Sequence, residues 1–362
     1  MKNSDLDKKC RWFREKLLKW HREQNRREMP WKGEKDPYRI WLSEIILQQT
    51  RVEQGWAYYE RFTQQFPTIR ELAEASDKKV MKCWEGLGYY ARCRNLLHTA
   101  RFISADRKGV FPSTYNEILA LKGVGPYTAA AISSFAFNLP HAVVDGNVYR
   151  VLSRYHGQHT PIDCTDGKKI FQALAQQSLD TDQPGLYNQA LMDFGATICK
   201  PQSPTCTTCP LQKKCQAFLL GTVNQLPIKS PAKPKKKRWF YYVLPTYKGK
   251  LPLQLREGAD VWAGLWEPPL IESLKALKLE TVIERASEAL SVPFPTATSR
   301  YTVRTYKQLL SHQEIRGTFL TIEFHEQPRM PHPFRWFGPR QLADLPFPKM
   351  IQDHWKESDS NG

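Results

Sequence analysis

Four cysteines past the middle of the 362-residue chain have the type and spacing to hold a metal. Cys199, Cys206, Cys209 and Cys215 form a C-x6-C-x2-C-x5-C run. Four thiolates in one short loop can close around a zinc ion or an iron–sulfur cube. Zinc sites usually pair their cysteines as two C-x2-C knuckles. Only one close pair exists here, so the spacing favours a cluster. Lys200, Lys213 and Lys214 decorate the loop, which suits a cluster that presents cations to phosphate. Cys10, Cys83, Cys93 and Cys164 are scattered and read as packing or surface residues.

A second candidate is the turn LKGVGPYTA at 121–129. Gly123 and Gly125 permit torsions and close approach that a side chain would block. Amide N–H groups exposed where such a turn enters a helix can grip a phosphate oxygen. Taken alone, G-V-G is more often an ordinary helix–helix turn. Asp145, in VVDGNVYRVLSR, is the third candidate. An aspartate before Gly-Asn and a helix is most often an N-cap.

The elements that must position these residues change character along the chain. From Leu6 to about Leu220 apolar residues recur at three- and four-residue spacing, as at Leu96, Leu97, Ala100 and Ile103. Pro37, Pro67, Pro112 and Pro184 mark helix starts. Residues 222–238, TVNQLPIKSPAKPKKKR, have little to bury and read as a basic linker. After Trp239 the pattern is strand-like in RWFYYVLPTY, KLPLQLREG, GTFLTIEFHE and FRWFGP. One helical stretch, IESLKALKLETVIERASEAL, interrupts it. The expected organisation is a helical domain at 1–221, a linker at 222–238 and a small α+β domain at 239–362.

Net charge is +17, unevenly placed. Through Trp239 there are 38 Lys+Arg against 22 Asp+Glu; beyond it, 15 against 14. A basic excess confined to the helical part, with aromatics interspersed, points to nucleic acid. No apolar run approaches a membrane span, and the start MKNSDLDKKCRWF has no signal-like apolar segment. A cytoplasmic protein with reduced thiols is therefore expected.

The glycine hairpin L-x-G-V-G-x-x-T-A, then V-D-x-N-V-x-R, then the cysteine loop resemble the helix–hairpin–helix DNA glycosylases. MPWKGEKDPYRIWLSEIILQQTRV at 29–52 and WEGLGYYARCRNL at 84–96 narrow the resemblance to the MutY family of adenine DNA glycosylases. WAGLWEPP at 262–269 and LSH at 310–312 extend it into the C-terminal domain.

The resemblance implies a multidomain protein. Its parts are an all-α glycosylase domain carrying a 4Fe–4S cluster on the four cysteines, and a C-terminal α+β Nudix-like domain. It implies hydrolysis of the adenine–deoxyribose bond in double-stranded DNA, with adenine opposite 8-oxoguanine or guanine. A monomer acting in the bacterial nucleoid is expected.

The resemblance also distributes roles among residues. Adenine leaves only when protonated, so the site needs an acid, and the oxocarbenium-like sugar needs a stabilising charge. Glu44, flanked on a helix by Ile40, Trp41 and Leu47, is expected to be desolvated and to act as the acid. Asp145, with Asn147 beside it, is assigned to the sugar cation. Arg27, Trp31, Leu47 and Gln189 are expected around the extruded base, with Lys32 standing where the family commonly has arginine. Gln49, Thr50, Leu87 and Tyr89 are expected to wedge the duplex, with Gly88 among the DNA-binding residues. Ser311 and His312, after Leu310 where a phenylalanine is frequent, are expected to read the lesion. Tyr127 occupies the hairpin position that carries a nucleophilic lysine in lyase relatives. A phenol offers no amine, which implies a monofunctional enzyme.

The nearest alternative is an endonuclease III-like glycosylase/lyase for oxidised pyrimidines. A non-catalytic iron–sulfur DNA-binding protein is a second. The helix bearing Glu280, Glu284 and Glu288 lacks a dense acidic motif, so Nudix-type pyrophosphatase activity is not expected.

Overall fold

The computed structural model describes residues 3–231, 234–258 and 260–359. Ala232 and Lys233 of the expected linker, and the outermost residues of the expected domains, lie outside these. Contacts divide the chain into two compact units. One comprises residues 1–74 and 95–232; the other comprises 75–94 and 233–362. Residues 75–94, expected in the helical domain, thus pack with the C-terminal part.

Among the described residues the chain begins with α1 (Asn3–Glu23), α2 (Pro37–Leu47), α3 (Val52–Gln65), α4 (Ile69–Glu74), α5 (Asp77–Trp84) and α6 (Ala91–Asp106). Then follow α7 (Tyr115–Leu119), α8 (Pro126–Phe137), α9 (Gly146–His156), α10 (Thr165–Ser178), α11 (Pro184–Thr197) and the short α12 (Gln216–Leu219). Pro37, Pro126 and Pro184 open their helices, where a missing N–H costs nothing. Pro67 and Pro112 instead lie in the loops before α4 and α7.

Two helices at the centre of the first unit are apolar nearly all round, because they are packed on all sides. In α2 every residue from Ile40 to Ile46 is buried. In α8 the run Thr128–Ser134 is buried. Its alanines let neighbouring helices approach closely. A core of Phe13, Leu17, Trp20, Val148, Leu152, Tyr155, Phe171, Tyr187 and Phe194 binds α1, α9, α10 and α11 together. Gly195 is required at one crossing: a Cβ there would sit 2.6 Å from the Asn147 Cβ.

The second unit contains β1 (Lys236–Thr246), β2 (Leu251–Leu255), β3 (Trp266–Glu267), β4 (Leu270–Ser273), α13 (Leu279–Leu290), β5 (Thr302–Leu309), β6 (Gln313–Glu323), β7 (Arg335–Phe337), α14 (Pro339–Leu342) and α15 (Lys349–Asp359). A four-stranded sheet runs β4-β1-β6-β5, and a three-stranded sheet runs β3-β2-β7. β1 and β6 are parallel over eleven pairs, from Lys236↔Gln313 to Thr246↔Glu323. Strand β1 therefore begins inside the expected linker.

The stretch 271–290 is not one helix. Its first residues pair antiparallel with β1, Trp239 opposite Ser273, and helix starts only at Leu279. The helical spacing of IESLKAL gives way because the edge of β1 there would otherwise be unpaired. Residues 75–94 are tied into this unit by hydrogen bonds. Lys82 Nζ donates to Leu345 O (3.1 Å), Phe347 N to Glu85 Oε1 (3.0 Å), and Arg94 Nη1 to Ala263 O.

Candidate active site

Glu44 projects from α2 with 6 % of its surface exposed. The turn of helix around it supplies apolar neighbours, and its side-chain partner is the Tyr127 hydroxyl, which donates to it. Removal from water, aided by the nearby negative charge of Asp145, pushes its pKa up to about 7. The phenol of Tyr127 is pushed well above its ordinary value by the same desolvation, with the charges of Glu44 and Asp145 adding to it. Tyr127 therefore stays a neutral hydrogen-bond donor. It occupies the second position of α8, where the hairpin aims it inward.

Asp145 is both an N-cap and a site residue. Its Oδ1 accepts from Val148 N at 2.7 Å, and its Oδ2 from Asn147 Nδ2 at 2.8 Å. Desolvation raises its pKa, while these donors oppose the rise. Arg150 holds Asn147 through Oδ1 at 2.8 Å, and also bonds Gly195 O and Cys199 O, each at 2.7 Å. The expected pairing of Asn147 with Asp145 is thus present and is itself braced.

Two cavities meet at these residues. One, of about 400 Å³, is lined by Arg27, Trp31, Glu44, Leu47, Thr50, Tyr127, Asp145, Asn147 and Gln189 among others. The other, of about 470 Å³, is lined by Glu44, Leu47, Gln48, Gln49, Tyr127, Val144, Asp145, Gly146 and Tyr149. Glu44, Leu47, Tyr127 and Asp145 belong to both. The expected base-pocket residues are together; Trp31 lies edge-on to Tyr59 at 5.4 Å. Lys32 Nζ bonds Arg27 O (2.6 Å) and Asp193 (3.1 Å). Gln49 stands exposed at the mouth with φ 56°, a left-handed conformation that costs energy for a residue with a side chain.

The hairpin glycines differ in what requires them. Gly123 has φ 82°, and a Cβ there would lie 2.7 Å from Asn95 Cβ. Gly125 has an ordinary φ of −100°, and a Cβ there would meet open space. Its bareness keeps the N-terminus of α8 accessible to an anion.

In the second unit a cavity of about 560 Å³ is lined by Leu87, Gly88, Tyr89, Arg92 and Arg94 from one segment, and by Gln308, Leu310, Ser311, His312, Asp260 and Lys349 from others. Two sets of predicted residues, more than two hundred positions apart in sequence, meet around it. Of the wedge residues expected in this segment, Tyr89 is 44 % exposed with φ 49°, whereas Leu87 is buried. Ser311 Oγ lies 3.2 Å from His312 Nδ1 in the exposed turn between β5 and β6.

The four cysteines line one small hollow of about 30 Å³ with Arg154, Ile198 and Phe218. Arg154 Nη1 lies 3.5 Å from Cys199 Sγ and also donates to Lys200 O, while Nη2 donates to Pro201 O. Among the described residues no group of three or more His, Cys, Asp or Glu side chains is arranged to hold a single metal ion. Four thiolates around one hollow are a donor set that a zinc ion or an iron–sulfur cube can use.

Sequence reasoning missed His21, Asn25 and Asp193. His21 lines the first cavity, and Asn25 bonds both His21 and Asp193. The one available signal was the i, i+4 spacing of Gln189 and Asp193 on α11.

These features define a helix–hairpin–helix base-excision fold joined to a Nudix-like one. Residues 42–177 match the HhH-GPD superfamily of base excision DNA repair proteins, and residues 240–357 match the NUDIX domain. An adenine DNA glycosylase of Buchnera aphidicola is 36 % identical over 261 residues, covering 70 % of this chain and 72 % of its own. Another, of Schizosaccharomyces pombe, is 31 % identical over 375 residues, covering 86 % and 79 %. A thermostable thymine-DNA glycosylase structure superposes with a TM-score of 0.55 at 30 % identity, covering 59 % of this chain and 98 % of that one. The chain belongs to the adenine DNA glycosylase family. No helix among the described residues is long and apolar enough to cross a membrane.

Proposed function

We propose that this enzyme hydrolyses the N-glycosidic bond of adenine placed opposite 8-oxoguanine in duplex DNA, without lyase activity. The observation that carries the reading is the wall shared by the two cavities. A flipped adenine in the first and its deoxyribose in the second put the scissile bond beside Glu44, Tyr127 and Asp145.

The roles follow from the environments. Glu44, raised to about 7, holds a proton to give to adenine N7, and the Tyr127 hydroxyl fixes the carboxyl's rotamer. Asp145 accepts N–H donors at both oxygens, which favours its ionised form and suits it to the developing sugar cation. Glu44, deprotonated by that transfer, is then the base that activates water. Tyr127 has no amine, so the sugar is resolved by water and not through a Schiff base.

The second unit would read the opposite base with Ser311 and His312, Tyr89 stacking beside it. Gly123 and Gly125 would receive a backbone phosphate. Cys199, Cys206, Cys209 and Cys215 would hold a 4Fe–4S cluster, which when bound cross-links the loop that carries Lys200, Lys213 and Lys214. The enzyme is proposed to act as a monomer on cytoplasmic, nucleoid DNA.

The test is strand cleavage after alkali on duplexes with adenine opposite 8-oxoguanine, G, C and T, with borohydride trapping in parallel. Excision is expected from the first and more slowly from the second, with no trapped adduct. No excision from the first duplex, or efficient trapping, contradicts the proposal.

A further inference from the structure

The first cavity is longer than the base assigned to it. Its lining follows α8 from Tyr127 to Phe135, eight residues or about 12 Å of helix. Along α2 it runs from Leu47 and Glu44 back to Ile40, and beyond the helix start to Lys35. Two hydrogen bonds set the direction. Gln48 Nε2 donates to Thr128 Oγ1 (3.4 Å) at the catalytic end, and Lys35 Nζ donates to Phe135 O (3.0 Å) at the other. The two helices are therefore antiparallel along the cavity, and Glu44 and Tyr127 stand at one end of it only.

The distal end is lightly closed. Gly185 and Leu186, in the first turn of α11, line it. A Cβ on Gly185 would lie 2.6 Å from Ser134 O, so the start of α11 is pressed against the last turn of α8. Phe135 and Leu186 are half-buried, and Lys35 is exposed. Glu34, also on the lining, accepts from Lys35 N (2.8 Å) and Asp36 N (2.9 Å), which fixes the backbone of the rim. The Lys35 side chain crosses that rim through one exposed hydrogen bond, on a flexible stem.

The catalytic end has the opposite character. In the reading above the deoxyribose fills the second cavity, which shares Glu44, Leu47, Tyr127 and Asp145 with the first. When the glycosidic bond breaks, the sugar stays tied to the DNA and stands between the free base and the way it came in. We infer that the excised base leaves by the distal end, between Lys35, Phe135 and Leu186, while the protein still holds the abasic duplex. The inference rests on the adenine reading of this cavity given above. Phe135, Leu186 and Met192 give a neutral, planar purine an apolar surface along that path. The Lys35 latch swings aside without moving the backbone.

The experiment uses the full chain in excess over a bead-tethered duplex with tritium-labelled adenine opposite 8-oxoguanine. Excision is read by alkaline strand cleavage, base release by label in the wash, and DNA release by the protein left on the beads. The native protein is expected to shed label as fast as it excises, with the protein still bound. Leu186→Trp narrows the exit. Its excision should stay within about threefold of native, while release of label slows roughly tenfold or more, toward the rate at which protein leaves the DNA. Phe135→Trp narrows the same end from α8 and carries the test if Leu186→Trp fails to fold. Label that leaves the native complex only when the protein does overturns the inference. So does label shed at the excision rate by both folded variants while the protein stays bound. Failure of the native protein to excise adenine at all overturns the base reading beneath it, which is a distinguishable result.

Discussion

The cavity wall of the helical unit and the arginine-rich interior of the C-terminal unit treat their carboxylates differently. In the helical unit Glu44 bonds to a phenol, and Asp145 to the Asn147 amide and the backbone N–H groups of Val148 and Asn147; the charge of Arg150 favours ionised Asp145, but no salt bridge joins a cation to either carboxylate among the described residues. In the C-terminal unit two arginines consume three acids. Arg238 grips both oxygens of Asp260 (2.8 and 2.6 Å) and reaches Glu272 at 2.5 Å. Arg256 Nη1 reaches both oxygens of Glu267 (2.9 and 3.1 Å), and its Nη2 donates to Glu272 at 2.6 Å and Asp260 at 2.9 Å. A carboxylate clamped by arginine serves structure: the arginines hold Asp260 well below the usual carboxylate range, and Arg256 opposes the desolvation that raises Glu267 to about 7. Glu44, desolvated and without a cation, is raised to about 7 and can hold a proton at neutral pH and deliver it. The contrast assigns chemistry to the first unit and shape to the second.

The largest effect should come from the uncompensated pair. Glu44→Gln and Asp145→Asn should each lower single-turnover excision by a factor of about 1,000 or more while duplex affinity stays near normal. Rates within tenfold of native for either variant break the division of roles. On the structural side, Arg256→Met strands Glu267 in the interior and should destabilise the C-terminal unit by roughly 3–5 kcal/mol, read by thermal melting or amide exchange. A melt indistinguishable from native would show that the arginine clamp is dispensable.

A smaller effect has the opposite sign. A carboxyl whose pKa is raised on folding binds more protons folded than unfolded, so it costs stability as pH rises from its ordinary value to about 7 and fully beyond. Glu44→Gln removes that cost. It should raise the melting temperature at pH 8, equivalent to up to about 3 kcal/mol, with little gain at pH 4. Equal gains at both pH values would locate the effect in packing instead.

Much of this was legible in the sequence because it is local. The cysteine spacing, the hairpin glycines and the proline helix starts at Pro37 and Pro184 each depend on a few consecutive residues. What was not legible depends on pairing across distance. Residues 270–273 look helical until β1 lies beside them, and β5 (TVRTYKQL) shows its alternation only once β6 defines two faces. The packing of residues 75–94 with the C-terminal strands, which brings Tyr89 to Ser311 and His312, leaves no trace in local pattern. Asp193 was hidden for the same reason: its partners Asn25 and Arg27 stand more than 160 positions away.

The pH dependence of single-turnover adenine excision tests the central claim most directly, because it reads the proton on Glu44. With an acid raised to about 7, the rate should fall as pH rises through 7 and approach tenfold per pH unit above it. A rate that stays level to pH 9 would mean that the proton reaching adenine does not come from Glu44.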